Sequence, residues 1–366
     1  MSDRIELIEK QRRVNDYLDR GGYDAMLLAS VGNFAWFTGG GDSHVGLVSE
    51  TGVGALLVYR DRKTLITNNI ERARLLEEEL DGQGFGDHVN FWVDHDLASA
   101  VAEVAPRQRV VSDIGISGVT PAPSEIARLR FSLTPAEVER YRSLGADVGA
   151  AFADACAEVK PGMTEFDAAA LLSGHQLARG ITPIVLLVAA DDRIPNYRHP
   201  IPTERKIERT VMLVAGGRRH GMICSATRMV SFGALTEELR QKHDAVVRVD
   251  ATFIANTRTG TRVGDIFKAG LAAYEAHGFD DEWKLHHQGG PTGYVPREYR
   301  ATIETESFVE PNQAFAWNPS ITGTKSEDTI IATSDGPEIL STSPGFPAVE
   351  VRVEDKRFSR ADILVR

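Results

Sequence analysis

The second half of this chain contains two side chains whose chemistry suits a reaction on a small molecule, His199 and Arg297. An imidazole with a pKa near ~6.5 can both accept and donate a proton at neutral pH. A guanidinium is planar and can hold a carboxylate by two parallel hydrogen bonds. The residues alone leave plainer alternatives open: His199 could be a hydrogen-bonded loop histidine, and Arg297 a surface arginine paired with Glu298 or Glu304.

Two neighbouring residues, Cys224 and Ser225, are candidate nucleophiles, because a serine or cysteine beside a histidine is the usual arrangement for acyl transfer. Neither lies in a Gly-x-Ser-x-Gly motif, and adjacent residues of a strand face opposite sides, so at most one can face a cavity. We expect Cys224 in the core. The same alternation applies to His286 and His287, of which one is expected to line a cavity and the other to pack.

Other motifs argue against a bound cofactor. The run Gly39-Gly40-Gly41 lacks the strand and helix context of a dinucleotide-binding turn. The chain has neither a Walker lysine nor a His-Glu-x-x-His motif. The glycines are expected to form a mobile loop, and no cofactor is predicted.

The elements that must position these residues fall into two parts. Residues 1–131 alternate helical and strand patterns and predict a smaller α/β domain, in which Val53–Tyr59 and Lys63–Thr67 form a hairpin. At Thr134-Pro135-Ala136-Glu137, a capping box with proline at the first helical position opens a long helix in a second domain, 132–366. There, four helices and mostly antiparallel strands predict an α+β layered fold.

Composition limits the class of function. The chain has 366 residues, 42% apolar and 25% charged, which is typical of a folded protein with two cores. Its formal charge of −11 repels phosphate backbones, so nucleic acid is not an expected partner. Two cysteines are too few for a disulfide framework, and no stretch resembles a signal peptide or a membrane span. We expect a cytoplasmic protein that does not enter a membrane.

Several segments occur in the order typical of one protein family. They are Asn33-Phe34-Ala35-Trp36-Phe37-Thr38-Gly39, Thr134 to Arg140, Lys160-Pro161-Gly162-Met163-Thr164-Glu165, Gly221 to Gly233, and Ser326-Glu327-Asp328-Thr329. Over nearly its whole length the chain therefore resembles the pita-bread proteins aminopeptidase P, prolidase, methionine aminopeptidase and creatinase. The resemblance implies a C-terminal pita-bread domain preceded by a smaller creatinase-type domain. A fold alone does not give function.

The resemblance also identifies where metal ions would bind. In the metallopeptidase members, two divalent ions are held by two Asp, one His and two Glu, because closely spaced hard cations need negative oxygen ligands. The matching positions in this chain are Val214, Ser225, Gly290, Asn318 and Glu327. Only Glu327 is a carboxylate, so the resemblance predicts a site without metal.

The residues that are kept match creatinase, a member that works without metal. His199 falls on its acid/base histidine, and Arg297 on an arginine that it uses against its substrate's carboxylate. The two glutamates that grip the guanidinium group of creatine correspond to Thr227 and Asn318, so creatine is not the expected substrate. In creatinase-like dimers the loop matching His44 reaches the other subunit's site, and we expect a homodimer here.

The leading hypothesis is a metal-independent, homodimeric hydrolase that cleaves a C–N bond in a small carboxylate-bearing substrate. The predicted catalytic residues are His199 and Glu327, and the predicted substrate-binding residues are Arg297, Arg228, Asn318, Ser225, Thr227, His287 and His44. Glu327 could orient a water or His199, or simply pair with Arg228. Two alternatives remain: a non-catalytic relative that binds a ligand or peptide, and a metal-free lyase or isomerase.

Overall fold

The computed structural model describes residues 2–94, 96–106 and 109–366, with the backbone only for residues 2 and 3. The chain forms two compact units. Unit 1 comprises Met1–Glu137 with His220–Met222, and unit 2 comprises Val138–Arg219 with Ile223–Arg366. No helix within the described ranges is long and apolar enough to cross a membrane.

Unit 1 is a mixed sheet with helices. Its described elements are α1 (Ser2–Gly21), β1 (Ala25–Ser30), α2 (Val31–Thr38), β2 (Thr51–Val58), β3 (Lys63–Asn68), α3 (Arg72–Arg74), β4 (Gly86–Asn90), α4 (Leu97–Val104), β5 (Val110–Ser112), β6 (Thr120–Pro121) and α5 (Pro123–Ala127). The sheet order is β4-β3-β2-β1-β5-β6, and β2 and β3 form the predicted antiparallel hairpin. Alternate residues Ala25, Leu27 and Ala29 of β1 pack into one core, as the two-residue period of a strand requires.

One helix of unit 1 differs from its prediction. The sequence predicts a helix over Ile70–Leu80, but the structure has only the short α3 followed by a π-helical turn, Leu75–Glu79. The side chain of Asn68 accepts hydrogen bonds from the backbone N–H groups of Ile70 and Glu71, at 2.9 and 3.2 Å. These hydrogen bonds form a local turn at Asn68 that satisfies the amides of residues 70 and 71, and the helical segment begins only after it, at Arg72.

Unit 2 contains the remaining elements. They are α6 (Pro135–Glu158, opening at the unit boundary), α7 (Glu165–Leu177), β7 (Thr182–Ala190), α8 (Arg193–Asn196), β8 (Thr210–Arg219), β9 (Met222–Ser231), α9 (Glu237–Asn256), α10 (Val263–Ala276), β10 (Gly289–Thr292), β11 (Gln313–Trp317), β12 (Ser320–Ile321), β13 (Thr324–Lys325), β14 (Asp328–Thr333), β15 (Gly336–Ile339), β16 (Ala348–Val353), β17 (Lys356–Ala361) and β18 (Leu364–Val365). The predicted capping box is present: the Thr134 N–H donates to Glu137 Oε2 at 2.7 Å, and the Glu137 N–H donates to Thr134 Oγ1 at 3.3 Å.

The strands of unit 2 form two four-stranded sheets, β10-β11-β14-β15 and β18-β9-β8-β7, and two ribbons, β12-β13 and β16-β17. The pairs β7–β8, β10–β11, β11–β14 and β14–β15 and both ribbons are antiparallel, whereas β18 runs parallel to β9. The two sheets meet where the Thr227 N–H donates to the Glu327 carbonyl at 3.1 Å and the Ser225 N–H donates to Thr329 Oγ1 at 2.8 Å. The predicted α+β pita-bread fold is confirmed.

An aromatic core beneath one sheet fixes the end of β11. Trp317 is fully buried, stacks on Phe253 of α9 at a ring distance of 4.7 Å, and donates from Nε1 to Thr257 Oγ1 at 2.9 Å. A stacked, hydrogen-bonded tryptophan has little rotational freedom. The next residue, Asn318, is therefore held in a defined position at the end of β11.

Candidate functional site

A cavity of about 460 Å³ in unit 2 collects most of the predicted site residues. Those in its lining are His199, Ser225, His287, Arg297, Asn318 and Glu327. Three more polar residues of the lining, Tyr299, Arg300 and Lys325, were not predicted. A larger cavity of about 980 Å³, in unit 1, contains none of the predicted residues in its described lining.

Two antiparallel strands form the apolar wall of the 460 Å³ cavity. Leu187 of β7 lies opposite Val214 of β8, and Val185 lies opposite Gly216. Val185, Leu187, Val214 and Gly216 all line the cavity. Because one wall is apolar, the charged side chains on the other side are poorly solvated and interact strongly with a bound ligand.

Glu327 is the one carboxylate among the described residues that line this cavity, and it is fully engaged. Lys325 Nζ lies 2.8 Å from its Oε2, Arg297 Nη2 lies 3.3 Å from its Oε1, and Thr227 Oγ1 donates to Oε2 at 2.7 Å. Burial alone would raise the pKa of Glu327, but Lys325 and Arg297 outweigh it and lower that pKa to about 2. Glu327 is therefore ionised at neutral pH and organises the two cations.

One local spacing in the sequence indicates that Lys325 lies on the same side of the chain as Glu327. Lys325 ends β13, two residues before Glu327, and residues two apart along an extended chain face the same side. Arg300 follows Arg297 in the loop after β10 and is exposed at the rim of the cavity. Neither spacing is specific enough to assign a role without the tertiary structure.

Three histidines form a cluster beside the carboxylate. His286 Nε2 and His199 Nε2 are 3.0 Å apart, so one imidazole donates and the other accepts. The ring centroids of His286 and His287 are 4.4 Å apart, and those of His199 and His287 are 5.8 Å apart. His287 lines the 460 Å³ cavity, whereas His286 is buried and absent from its described lining, as the expected alternation has it. Both rings nevertheless reach His199.

The surroundings hold these histidines in the neutral form. Burial, and secondarily the charge of Lys325, lowers the pKa of His286 to about 2. Burial and the charge of Arg297 lower the pKa of His287 to about 4. Burial and Lys325 also lower the pKa of His199. At neutral pH each ring thus carries one N–H and one lone pair.

The structure does not bring Arg228 to the cavity. Its side chain is 1% exposed, and its guanidinium donates to Ser343 Oγ at 2.9 Å, to Asp328 Oδ1 at 2.8 Å and to the Ser341 carbonyl at 2.7 Å. The neighbouring Thr227 is also outside the lining but supports it through Glu327. Arg228 is therefore saturated by protein groups, and it contacts the Glu327 backbone carbonyl, at 3.4 Å, rather than the carboxylate.

Two other predictions concern residues away from the lining. His44 lies in unit 1, where its Nδ1 is hydrogen-bonded to Asp42, and its role at a partner's site stays a prediction. Cys224 is fully buried, as expected for a core residue. Burial raises the pKa of both Cys224 and Cys156 to about 12, which removes the thiolate that a nucleophile needs.

The side chains at the five metal-ligand positions implied by the resemblance do not fit a pair of divalent ions. Val214 and Asn318 carry no charge, and Ser225 lies where an aspartate would be needed. Gly290 has φ 146°, and a Cβ there would lie 2.6 Å from the Tyr299 carbonyl oxygen, so a histidine has no room. Glu327 already holds an ammonium at the oxygen that would bind a cation.

The histidine cluster is the other arrangement that could hold a metal. Ligand nitrogens of His199, His286 and His287 all lie within 4.8 Å of one another, a spacing open to a single transition-metal ion. The cationic side chains Lys325 and Arg297 that lower the histidine pKa values oppose a divalent ion in the same way. The charge around the cluster thus favours anions over cations.

Comparison with known proteins identifies the family. Residues 139–355 match the family described as metallopeptidase family M24, and the chain belongs to that family. A probable dipeptidase PepE of Mycobacterium tuberculosis is 24% identical over 278 residues, which cover 69% of this chain and 74% of that protein. An uncharacterised peptidase of Staphylococcus haemolyticus is 26% identical over 254 residues, 64% of this chain and 70% of that protein.

Solved structures show the same fold over nearly the whole chain. An Xaa-Pro dipeptidase from Bacillus anthracis superposes with a TM-score of 0.79 at 19% identity, covering 98% of this chain and 100% of that one. Dipeptidase PepE from Mycobacterium ulcerans gives a TM-score of 0.77 at 18% identity, covering 99% of this chain and 98% of that one. At such identities the likeness establishes architecture, and the relatives' names favour a peptidase-type hydrolase.

Proposed function

We propose that this protein is a metal-independent hydrolase that cleaves a C–N bond in a small, carboxylate-bearing substrate, with His199 as the acid/base. The observation that carries the proposal is a pair of fixed cations at the one carboxylate of the described lining: Lys325 and Arg297 share the oxygens of Glu327 in a cavity that His199 lines. The family's peptidase relatives support hydrolysis of an amide-type bond.

The first step needs a base that is neutral at working pH. The environment lowers the pKa of His199, so its free lone pair is available to take a proton from water as the oxygen attacks the substrate carbon. Arg297 and Lys325 would hold the substrate's carboxylate and stabilise negative charge that develops on the reacting group. The side-chain oxygen of Asn318 is buried without a hydrogen-bond partner in the described structure, and it could accept from a substrate N–H.

The second step returns the proton. The C–N bond breaks, the nitrogen leaves with the bonding pair, and the imidazolium of His199 donates its proton to that nitrogen. His199 does not lose its proton to His286, although the two rings are in contact. The pKa of His286 is lowered to about 2, so His286 is a much weaker base than an ordinary histidine. His286 would instead orient His199 and fix its tautomer.

The test is a screen of small acidic amides and amidines in H₂¹⁸O, with chelator-treated protein and mass-spectrometric detection. We expect one ¹⁸O atom in the product, and loss of turnover by more than about 10³-fold in His199→Ala. His277→Ala is the matched control, since His277 is an exposed histidine of unit 2 that does not line the cavity. Full activity of His199→Ala would disprove the mechanism.

The same screen separates the rival functions. A product of unchanged mass without ¹⁸O would indicate an isomerase, and a cleaved product without ¹⁸O would indicate a lyase. If several compounds bind saturably at the cavity and none is converted to a product, the protein is a non-catalytic relative. Activity that disappears on chelation and returns with Mn²⁺ or Co²⁺ would contradict metal independence.

A further inference from the structure

The charges that line the 460 Å³ cavity do not balance. Three cationic side chains, Arg297, Arg300 and Lys325, face one carboxylate, Glu327, within the described lining. Glu327 offsets one of the three positive charges, which leaves two. Buried charges in proteins are ordinarily paired, because transfer from water costs several kcal/mol per ion. The buried pair Arg297 and Lys325 shares the single counter-charge of Glu327, so one buried cation is uncompensated. Together with the exposed Arg300, this excess of positive charge suits a ligand that brings negative charge with it.

The two inner cations are buried and retain unused hydrogen-bonding capacity. The side chains of Lys325 and Arg297 are 5% and 15% exposed, and both are held in place by Glu327. Arg297 Nε is buried and has no hydrogen-bond partner in the described structure. A buried, unpaired guanidinium nitrogen is costly unless a ligand accepts from it. This position suits the first acidic group.

The third cation lies elsewhere in the same site. Arg300 is exposed and forms no ion pair among the described residues. With His199 and His287 it lines both the 460 Å³ cavity and a second cavity of about 570 Å³. A ligand held at Arg297 and Lys325 would therefore share its cavity with both His199 and Arg300. The second acidic group would lie at this rim.

We propose that the site selects dianions: small molecules that carry two acidic groups and an amide N–H, such as N-acyl amino dicarboxylic acids. This inference rests on the proposed function for the placement of the reacting bond at His199. The amide N–H would donate to the unpartnered Oδ1 of Asn318. A volume of about 460 Å³ corresponds to roughly fifteen water-sized groups, which suits a molecule of this class.

Calorimetric titration of the full chain tests the proposal without requiring turnover. The probes are N-acetyl-aspartate and N-acetyl-asparagine, which have the same shape and differ by one negative charge. We expect N-acetyl-aspartate to bind at least about tenfold more tightly at low salt, and the difference to shrink as salt rises. A second pair, N-acetyl-O-phosphoserine and N-acetyl-serine, tells whether a phosphate can replace the second carboxylate.

Two variants assign the preference to the predicted cation. Arg300→Gln should reduce the ratio of the two affinities to within about threefold while leaving the weaker ligand's affinity nearly unchanged. Arg352→Gln is the matched control, since Arg352 is an exposed arginine of β16. Equal affinity for the two ligands in the wild-type protein, no measurable binding of either, or an unchanged ratio in Arg300→Gln, would overturn the inference.

The outcomes for this inference and for the proposed function can be told apart. Tight binding of dianions without any product would leave the selection of dianions intact and refute hydrolysis. Hydrolysis of monoacids with no preference for a second charge would support the proposed hydrolysis and refute the selection of dianions.

Discussion

The ammonium of Lys325 lies 2.8 Å from Oε2 of Glu327, both side chains being almost fully buried. This ion pair stands at the position where the family's resemblance places a metal-bound carboxylate. Lys325 supplies a fixed positive charge beside this carboxylate. The pair also orders the site before any ligand binds, since Glu327 simultaneously holds Arg297 through its other oxygen.

The first prediction concerns the energy of this pair. Glu327→Gln should destabilise the protein by about 3–5 kcal/mol, because it leaves two buried cations without their counter-charge. Lys325→Met should cost less, because Arg297 and Thr227 still hold the carboxylate. The double variant should be more stable than the sum of the two losses predicts, by about 1–3 kcal/mol. Urea unfolding measures all three.

The control for these variants is an ion pair on α9 in which Lys242 is 22% and Glu238 75% exposed. Lys242 Nζ contacts Glu238 at 2.5 Å on the surface of α9. Lys242→Met should change the free energy of unfolding by less than about 1 kcal/mol. Additive losses at Lys325 and Glu327 would show that the buried pair is not energetically coupled.

The second prediction concerns Gly290, which has φ 146° and lies against backbone. Gly290→Ala should destabilise the protein by at least about 2 kcal/mol, since the Cβ would meet the Tyr299 carbonyl oxygen at 2.6 Å. Gly233→Ala is the matched control, because Gly233 also has positive φ (104°) but nothing lies within 4 Å of its Cβ. A larger loss of melting temperature at Gly233 would contradict the proposed contact.

The third prediction concerns acid stability. The pKa of His286 in the folded protein is about 2, below the ordinary value of 6.5, so the unfolded chain binds the proton first. Stability from this group is complete above pH 6.5 and is lost as the pH falls toward 2. Each such group contributes a slope of about 1.4 kcal/mol per pH unit between its two pKa values.

His286→Gln should therefore reduce the slope of unfolding free energy against pH between pH 6 and pH 4 by about 1.4 kcal/mol per pH unit, which corresponds to one proton fewer taken up on unfolding. His88→Gln, at a partly exposed histidine of unit 1, is the control for exchanging an imidazole for an amide elsewhere in the chain. Urea titrations at several pH values report the slope directly. Parallel curves for wild type and His286→Gln would rule out a buried neutral histidine at this position.

The fourth prediction concerns the two cysteines. Cys156 and Cys224 are fully buried, and burial raises the pKa of each thiol to about 12. A thiol reagent at neutral pH should label neither residue in the folded protein and both in denaturant. Mass spectrometry counts the labels. Rapid modification of Cys224 in the folded state would reopen the nucleophile hypothesis, whereas modification of neither residue supports a packing role.

Much of the fold was predictable because local chemistry is sufficient to define it. The capping box at Thr134 and Glu137, the β2–β3 hairpin and the helix α9 all follow from patterns within a few residues. The elements that the sequence analysis did not predict, such as β10 and β13, are short and owe their pairing to distant partners. Periodicity over two to four residues cannot distinguish such strands from loops.

The sequence by itself determined the family and the two-part α/β and α+β architecture. It also showed that few carboxylates occupy the positions at which metallopeptidase relatives bind metal. The order of residue types along the chain is sufficient for these conclusions. Only the tertiary structure decided which charges meet. It turned Arg228 into a buried structural residue and placed Lys325 against Glu327. It also drew His286 and His287 together onto His199. Arg228 and Asp328 are 100 positions apart in the chain, and His199 and His286 are 87 apart. The electrostatics of a site depend on such through-space distances, which sequence spacing does not contain.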